Sequence, residues 1–149
     1  MTAVTVVEGG DLFAARADAL VNPVNCVGVM GKGLALAFKR RYPLMFADYQ
    51  RDCRAGRLTV GRPALHRCLG CPPIISLPTK AHWRQPSTME IVLAGVRGLA
   101  PLVAAYDLRS LAVPALGCGA GGLRWEAVRG PLTDELARLG IDIELHAPR

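Results

Sequence analysis

The chain reads as an α/β domain with a mostly parallel sheet covered on both faces by helices. Three observations carry that reading. β-Branched apolar segments alternate with stretches whose apolar residues recur at helical spacing, the pattern of strands joined by crossover helices. Two glycine-rich stretches each follow a strand and lead toward a helix. At 149 residues and 51% hydrophobic content, the chain can bury about two-thirds of its unfolded surface around one core, so a single domain over 1–149 is expected.

The first strand is Val4-Thr5-Val6-Val7, chosen for its β-branched residues. Gly9-Gly10-Asp11 stops it. Leu12-Phe13 then starts a turn, where Asp11 either caps a helix start or accepts a hydrogen bond from a ligand amine. Asp18-Ala19-Leu20-Val21 is the second strand. A bend from Asn22 to Gly33 follows, and Leu34-Ala35-Leu36-Ala37-Phe38 carries a helix to about residue 40. Pro43 opens the next helix, with Phe46, Tyr49, Gln50 and Cys53 on one face and Gly56 as its stop. Residues 64–68 and 74–77 are short strands, paired as a hairpin around Gly70 and Pro72-Pro73. Residues 78–86 form a loop bounded by prolines. Ser87-Thr88-Met89-Glu90 has the capping-box pattern and predicts an amphipathic helix over 88–106, kinked or broken at Pro101. Leu111-Ala112-Val113 is a strand, Gly117 to Gly122 the second glycine stretch, 125–139 a helix and 141–146 a final strand.

The formal charge is +6, and of 18 basic residues only Lys32, Lys39 and Lys80 are lysines. A basic surface favours polyanions, or is simply a solvated face. No apolar run approaches the ~18 residues of a membrane span. Met1-Thr2-Ala3 begins no signal peptide, so a cytoplasmic chain without a membrane partner is expected. Five cysteines, an odd number, read as reduced thiols. Cys68-Leu69-Gly70-Cys71 is the only CxxC and no second pair completes a zinc site, so neither metal nor cofactor is expected.

A strand, a glycine-rich bend and a helix start together offer backbone N–H groups and a positive dipole end to an anion. Gly28, Val29, Met30, Gly31, Lys32 and Gly33 form one such bend, and Gly117, Cys118, Gly119, Ala120, Gly121 and Gly122 another. Each is a tight turn if nothing binds it. As a pair at the carboxyl ends of parallel strands they fit one diphosphate. Neither is a Walker motif, lacking Gly-Lys-Ser/Thr, and neither carries the acidic partner of a dinucleotide fingerprint.

Lys80 directly follows a strand end, on the edge where both bends lie. It is a candidate nucleophile or proton carrier if a pocket or neighbouring cation lowers its pKa, and otherwise a solvated lysine or phosphate contact. His82 reads as general acid–base or structural, Trp83 and Arg84 as a clamp or as packing, and Lys32 as a phosphate neutraliser or exposed. Cys26 and Cys118 lack an adjacent histidine and read as small packing residues.

Val21-Asn22-Pro23-Val24-Asn25-Cys26, Gly28 to Ala35, and Pro114 to Leu123 resemble the two ligand loops of macrodomains, which bind ADP-ribose. Gly10-Asp11-Leu12 is similar to their adenine-contacting segment. Leu77-Pro78-Thr79-Lys80-x-His82-Trp83-Arg84-x-x-Ser87 resembles, more narrowly, the macrodomain of the DarG antitoxins, which remove ADP-ribose from thymidine bases of DNA modified by the toxin DarT. The resemblance covers nearly the whole chain. It departs at Ser76, where asparagine is usual, and at Arg124, where an acidic residue is usual.

The resemblance implies a three-layer α/β/α fold around a mixed, mostly parallel sheet. It places adenine at Asp11 and Leu12, and the diphosphate between Gly28, Val29, Met30, Gly31 and Gly33 on one side and Gly117 to Gly121 on the other. The distal ribose then falls near Asn22, Asn25 and Lys80, and Pro78 and Thr79 also bind ADP-ribose. It makes Lys80 catalytic, with Asn22 or Asn25 orienting ribose hydroxyls; a basic rim of Arg40, Arg41 and Arg84, with Trp83, is then expected to meet the DNA. The implied partners are ADP-ribose, ADP-ribosylated single-stranded DNA and a cognate ADP-ribosyltransferase toxin. The chain acts as a monomer in that scheme, and is the enzymatic part of antitoxins that carry a second domain. A non-catalytic ADP-ribose reader and a hydrolase of glutamate-linked ADP-ribose on protein are the alternatives. An oxocarbenium-like transition state beside a held diphosphate, attacked by a neutral lysine, suits the enzyme reading.

Overall fold

In a computed structural model of the protein, residues 3–149 are described, and the Met1-Thr2 start lies outside them. The β-branched and apolar segments form β1 (Val4–Val7), β2 (Ala19–Val24), β3 (Ala64–His66), β4 (Ile74–Pro78), β5 (Ser110–Pro114) and β6 (Asp142–His146). Between them lie a 3-10 turn, Leu12–Ala14, and helices α1 (Gly33–Arg41), α2 (Pro43–Arg54), α3 (Met89–Arg97), α4 (Leu99–Ala105) and α5 (Trp125–Ala137). The described residues make one six-stranded sheet in the order β1-β6-β5-β2-β4-β3. Every neighbouring pair is parallel except β3 with β4. Parallel neighbours need crossovers, and the helices supply them.

Strand alternation sorts the core into two layers. Ala19, Val21, Ile75, Leu77, Leu111, Val113, Ile143 and Leu145 face α3, α4 and α5, meeting Val92, Val96, Leu99, Val128, Leu132 and Leu136. Leu20, Val24, Ile74 and Ala112 face α1 and α2, meeting Phe38, Met45 and Tyr49. A period of two in the strands therefore buries both sheet faces, which gives the three-layer α/β/α architecture. Among the described residues no helix is long and apolar enough to cross a membrane.

Three local expectations shift. The helix expected over 88–106 breaks at Gly98 and not at Pro101. A Cβ at Gly98 would strike the Gly61 carbonyl and sit 2.6 Å from Pro63 Cδ, so a passing loop fixes the break. Pro101 falls in the first turn of α4, where its missing N–H costs no helical hydrogen bond. The cap of α3 is Thr88, whose side chain accepts from the Ile91 N–H at 3.2 Å. Ser87 instead donates its N–H to the Gly121 carbonyl, 3.0 Å away. Finally, β2 continues through Asn22 and Pro23 to Val24, so those two residues are strand, not bend.

Candidate active site

Beyond the carboxyl ends of β2, β4 and β5 the chain encloses a cleft of about 960 Å³. Two loops and a lysine segment shape it. The first loop is folded by Asn25. Its Oδ1 accepts from the N–H groups of Val27 (3.0 Å) and Val29 (3.4 Å), and its Nδ2 donates to the Val29 carbonyl at 2.8 Å. Helix α2 clamps the loop from behind. The Tyr49 hydroxyl lies 2.9 Å from both the carbonyl and Oδ1 of Asn25, and Gln50 Nε2 donates to the Gly28 carbonyl at 3.1 Å. Gly28 itself sits at φ +83°, where a side chain would be strained. The bend delivers Gly31, Lys32 and Gly33 to the cleft wall, at the N-terminus of α1. That N-terminus has no side-chain cap from Lys32, so its first-turn N–H groups and positive dipole end suit an anion.

The second loop forms the facing wall and is folded by its backbone. Cys118 N donates to Ala115 O at 3.1 Å, Gly122 N to Gly119 O at 3.1 Å, and Leu123 N to Gly117 O at 2.9 Å. Gly117 to Gly121 all line the cleft. Phosphate-sized anions between such walls would meet N–H donors from both.

Lys80 stands at one end. Thr79 N donates to Val24 O (2.9 Å) and Cys26 N to Ala81 O (3.0 Å), stitching the segment around Lys80 to the first loop. Lys80 Nζ donates to the Trp83 carbonyl at 3.4 Å. Partial burial and then the neighbouring Lys32 ammonium hold its pKa below the ordinary lysine value, and both effects favour the neutral amine. His82 Nδ1 accepts from Arg84 N at 3.1 Å, which orders the loop. The Arg84 guanidinium stacks 4.7 Å over the half-exposed Trp83 ring.

Asp11 stands at the opposite end and caps the 3-10 turn, its Oδ1 accepting from Phe13 N at 3.0 Å. It also lines the cleft, as do Leu12 and Phe13. The C-terminal tail from His146 to Arg149 closes that end, with Arg149 donating to the Gly10 carbonyl.

Of the residues expected at the site, Asp11, Leu12, Asn25, Val29, Gly31, Lys32, Gly33, Thr79, Lys80, Trp83 and the five residues Gly117 to Gly121 come together in the lining. Others do not. Asn22 is fully buried under the first loop, its Nδ2 3.7 Å from Met30 Sδ, and Met30 is buried with it. Gly28 is turned toward Gln50, and Pro78 is buried at the end of β4. Arg40 and Arg84 are exposed outside the lining, and Arg41 takes the wall position with its guanidinium 4.2 Å over the Phe13 ring. Tyr49 and Gln50 read in the sequence only as one face of a helix. Nothing in their spacing reveals that they hold a loop. Cys26 is pushed up to about 11 by burial and by Cys53, and burial likewise raises Cys118, so both remain thiols.

Ser76 is buried and its Oγ lies 2.8 Å from His66 Nε2, while His66 Nδ1 lies 2.6 Å from Asp48 Oδ2. This departure from the expected asparagine thus joins the sheet to α2.

A three-layer fold with two backbone loops facing each other across the carboxyl edge of its sheet defines a domain built for a phosphate-bearing ligand. The chain belongs to the macro domain family, whose pattern matches residues 21–130. It is 45% identical over 143 residues, 93% of this chain and 41% of the relative, to a DNA ADP-ribosyl glycohydrolase of Mycobacterium tuberculosis. Its fold matches the macrodomain of Mycobacterium tuberculosis DarG over the whole of both chains, with a TM-score of 0.92 and 42% identity. It also matches a Thermosipho africanus DarTG structure in complex with ADP-ribose, at a TM-score of 0.91 and 34% identity over 99% of this chain and 42% of that one. The chain spans about two-fifths of the length of the curated relatives it matches.

Proposed function

We propose that this chain is a DNA ADP-ribosyl glycohydrolase that removes ADP-ribose from thymidine bases of single-stranded DNA and so acts as antitoxin to a DNA ADP-ribosyltransferase. The observation that carries the reading is Lys80, a cleft lysine held below its ordinary pKa by burial and Lys32, at the end of the cleft away from Asp11. ADP-ribose fits with adenine at Asp11 and Leu12, the diphosphate between the two loops, and the distal ribose toward Lys80 and Asn25. Asn22, enclosed beneath the loop, acts in this scheme through Met30 and the loop above it, as a positioning residue. The relatives named DNA ADP-ribosyl glycohydrolases, at 41–45% identity, support the substrate class.

Neutral Lys80 attacks the anomeric carbon of the distal ribose through its Nζ lone pair. The bond from that carbon to the base nitrogen breaks, and its electron pair goes to the base, which takes up a proton. The lysine adduct is then hydrolysed by water, returning the free amine and ADP-ribose. Loop N–H groups hold the diphosphate throughout, so the positive charge developing at the ribose lies beside a fixed anion. Trp83 offers an aromatic surface at the mouth, suited to a flanking or target base, and Arg84 beside it suits the DNA phosphates, whereas Arg41, over Phe13, lies at the adenine end away from the DNA. The protein works as a cytoplasmic monomer in this account.

The test is release of ADP-ribose from two substrates, an ADP-ribosylated oligonucleotide and a glutamate-ADP-ribosylated protein. Turnover of the oligonucleotide alone is expected. Turnover of the protein alone moves the substrate to glutamate, and binding of ADP-ribose without turnover of either makes the chain a reader.

A further inference from the structure

Behind the first loop, on α2 and β3, lies a group of metal-ligand side chains that takes no part in the cleft. We propose that Asp48, Asp52 and His66 form a site for a borderline divalent cation, Zn²⁺ by its donor set, which clips α2 to β3. Asp48 and Asp52 stand four residues apart on α2 and therefore share one face. His66 ends β3 and is fully buried. Its Nδ1 lies 2.6 Å from Asp48 Oδ2 and 3.7 Å from Asp52 Oδ2, and the three converging ligand atoms lie within 4.8 Å of one another. Ligand atoms bound to one Zn²⁺ at about 2.0–2.2 Å stand roughly 3–3.5 Å apart, so the His66–Asp48 contact would open and the widest pair close by roughly 1 Å each through side-chain rotation.

What separates this group from a chance ion pair is how the far atom of each ligand is held. Ser76 Oγ meets His66 Nε2 at 2.8 Å, Arg51 meets Asp48 Oδ1 at 3.3 Å, and Arg57 Nε meets Asp52 Oδ1 at 2.8 Å. Each outer atom thus has a partner, and the inner atoms point at one another. Metal ligands are characteristically oriented in this way by hydrogen bonds to their other atoms. The His66 nitrogen can satisfy one carboxylate by hydrogen bonding, yet two converge on it. A cation between them would serve all three groups. One nitrogen with two carboxylate oxygens suits zinc better than calcium or magnesium, which take oxygen ligands. Asp48 is about one-third exposed, with a side-chain accessibility of 35%, which opens a route for the ion and room for a water ligand.

Tyr49 and Gln50, which clamp the first loop, stand between the two aspartates on α2. An ion at Asp48 and Asp52 would therefore brace the helix that shapes the cleft, without touching the chemistry at Lys80.

The test uses the full chain, stripped with a chelator and titrated with Zn²⁺ by calorimetry and with Co²⁺ by visible absorption, alongside thermal melting. One ion per chain is expected, with ligand-field bands of a low-coordinate site for Co²⁺ and a higher melting temperature with Zn²⁺. Asp52→Asn, which keeps the side-chain volume, should weaken Zn²⁺ binding at least about tenfold and remove the melting shift. Asp48→Asn should do the same, so a folding defect in one variant does not decide the matter. Cys68→Ser with Cys71→Ser should leave both readouts unchanged. A folded wild-type chain that takes up neither ion overturns the proposal. So does a melting shift that survives Asp52→Asn and Asp48→Asn, or one that vanishes with the two cysteines, which would make the thiols the site.

Discussion

The two loops that face each other across the cleft are built on opposite plans. The first is shaped by side chains: Asn25 ties the bend to itself, and Tyr49 and Gln50 hold it from α2. The second is shaped by the near absence of side chains. A Cβ at Gly117 would come 2.7 Å from Leu123 Cδ1, and one at Gly121 would collide with Ser87 Oγ and sit 2.6 Å from the Gly117 carbonyl. Both plans present backbone N–H groups to the same space. A loop held by several hydrogen bonds should keep much of its ligand affinity when one is lost, even at a cost in stability, whereas a loop held by close contact should be displaced by one added methyl group.

Substitutions can break that contrast in order of expected size. Gly121→Ala is the largest. Overpacking against Ser87 and Gly117 should displace the second loop at a cost of about 1–3 kcal/mol, which is roughly 5- to 150-fold if all of it is lost from ADP-ribose affinity by calorimetry. Tyr49→Phe comes next, because it leaves two buried Asn25 acceptors without their hydroxyl. Chemical denaturation should show a loss of about 1–3 kcal/mol, with ADP-ribose affinity falling up to roughly tenfold. Gln50→Ala is the smallest, about 0.5–1.5 kcal/mol and within a few-fold in affinity. If Gln50→Ala proved worse than Gly121→Ala, the two plans would have been assigned to the wrong loops.

Much of this was legible in the sequence, because strands, helices and bends follow local rules. β-Branched runs became strands, the proline at 43 opened α2, and both glycine stretches faced one cleft. The failures share one cause, contacts between residues distant in the chain. The break at Gly98 depends on Gly61 and Pro63, and the capping of α3 by Thr88 leaves Ser87 to meet Gly121. Asn22 looked like a loop residue, yet β2 extends to Val24 by pairing with β4, which buries it. Arg40 and Arg41 are neighbours in sequence, and only the rotation of α1 decides that Arg41 faces the cleft. The tail from His146 to Arg149 carries no motif and lines the site because β6 ends beside β1.

The pH dependence should sharpen the role of the lysine. Burial and Lys32 lower the Lys80 pKa, so the neutral amine accumulates at lower pH than for a free lysine. The rate should rise with pH through that lowered value. Lys32→Ala removes the like charge, which favours the ammonium, raises the Lys80 pKa and moves the rising limb of the pH–rate profile to higher pH. An unmoved limb would mean that Lys32 does not act on Lys80.

The most direct measurement compares ADP-ribose release from an ADP-ribosylated oligonucleotide by the wild-type chain and by Lys80→Arg, with ADP-ribose affinity measured on both. Arginine keeps the positive charge but is effectively never deprotonated, so it can neither attack carbon nor carry a proton. Turnover should fall by at least ~10²-fold while affinity stays within a few-fold, since the loops hold the diphosphate. Near-normal turnover by Lys80→Arg would contradict the account, reducing Lys80 to a contact for phosphate.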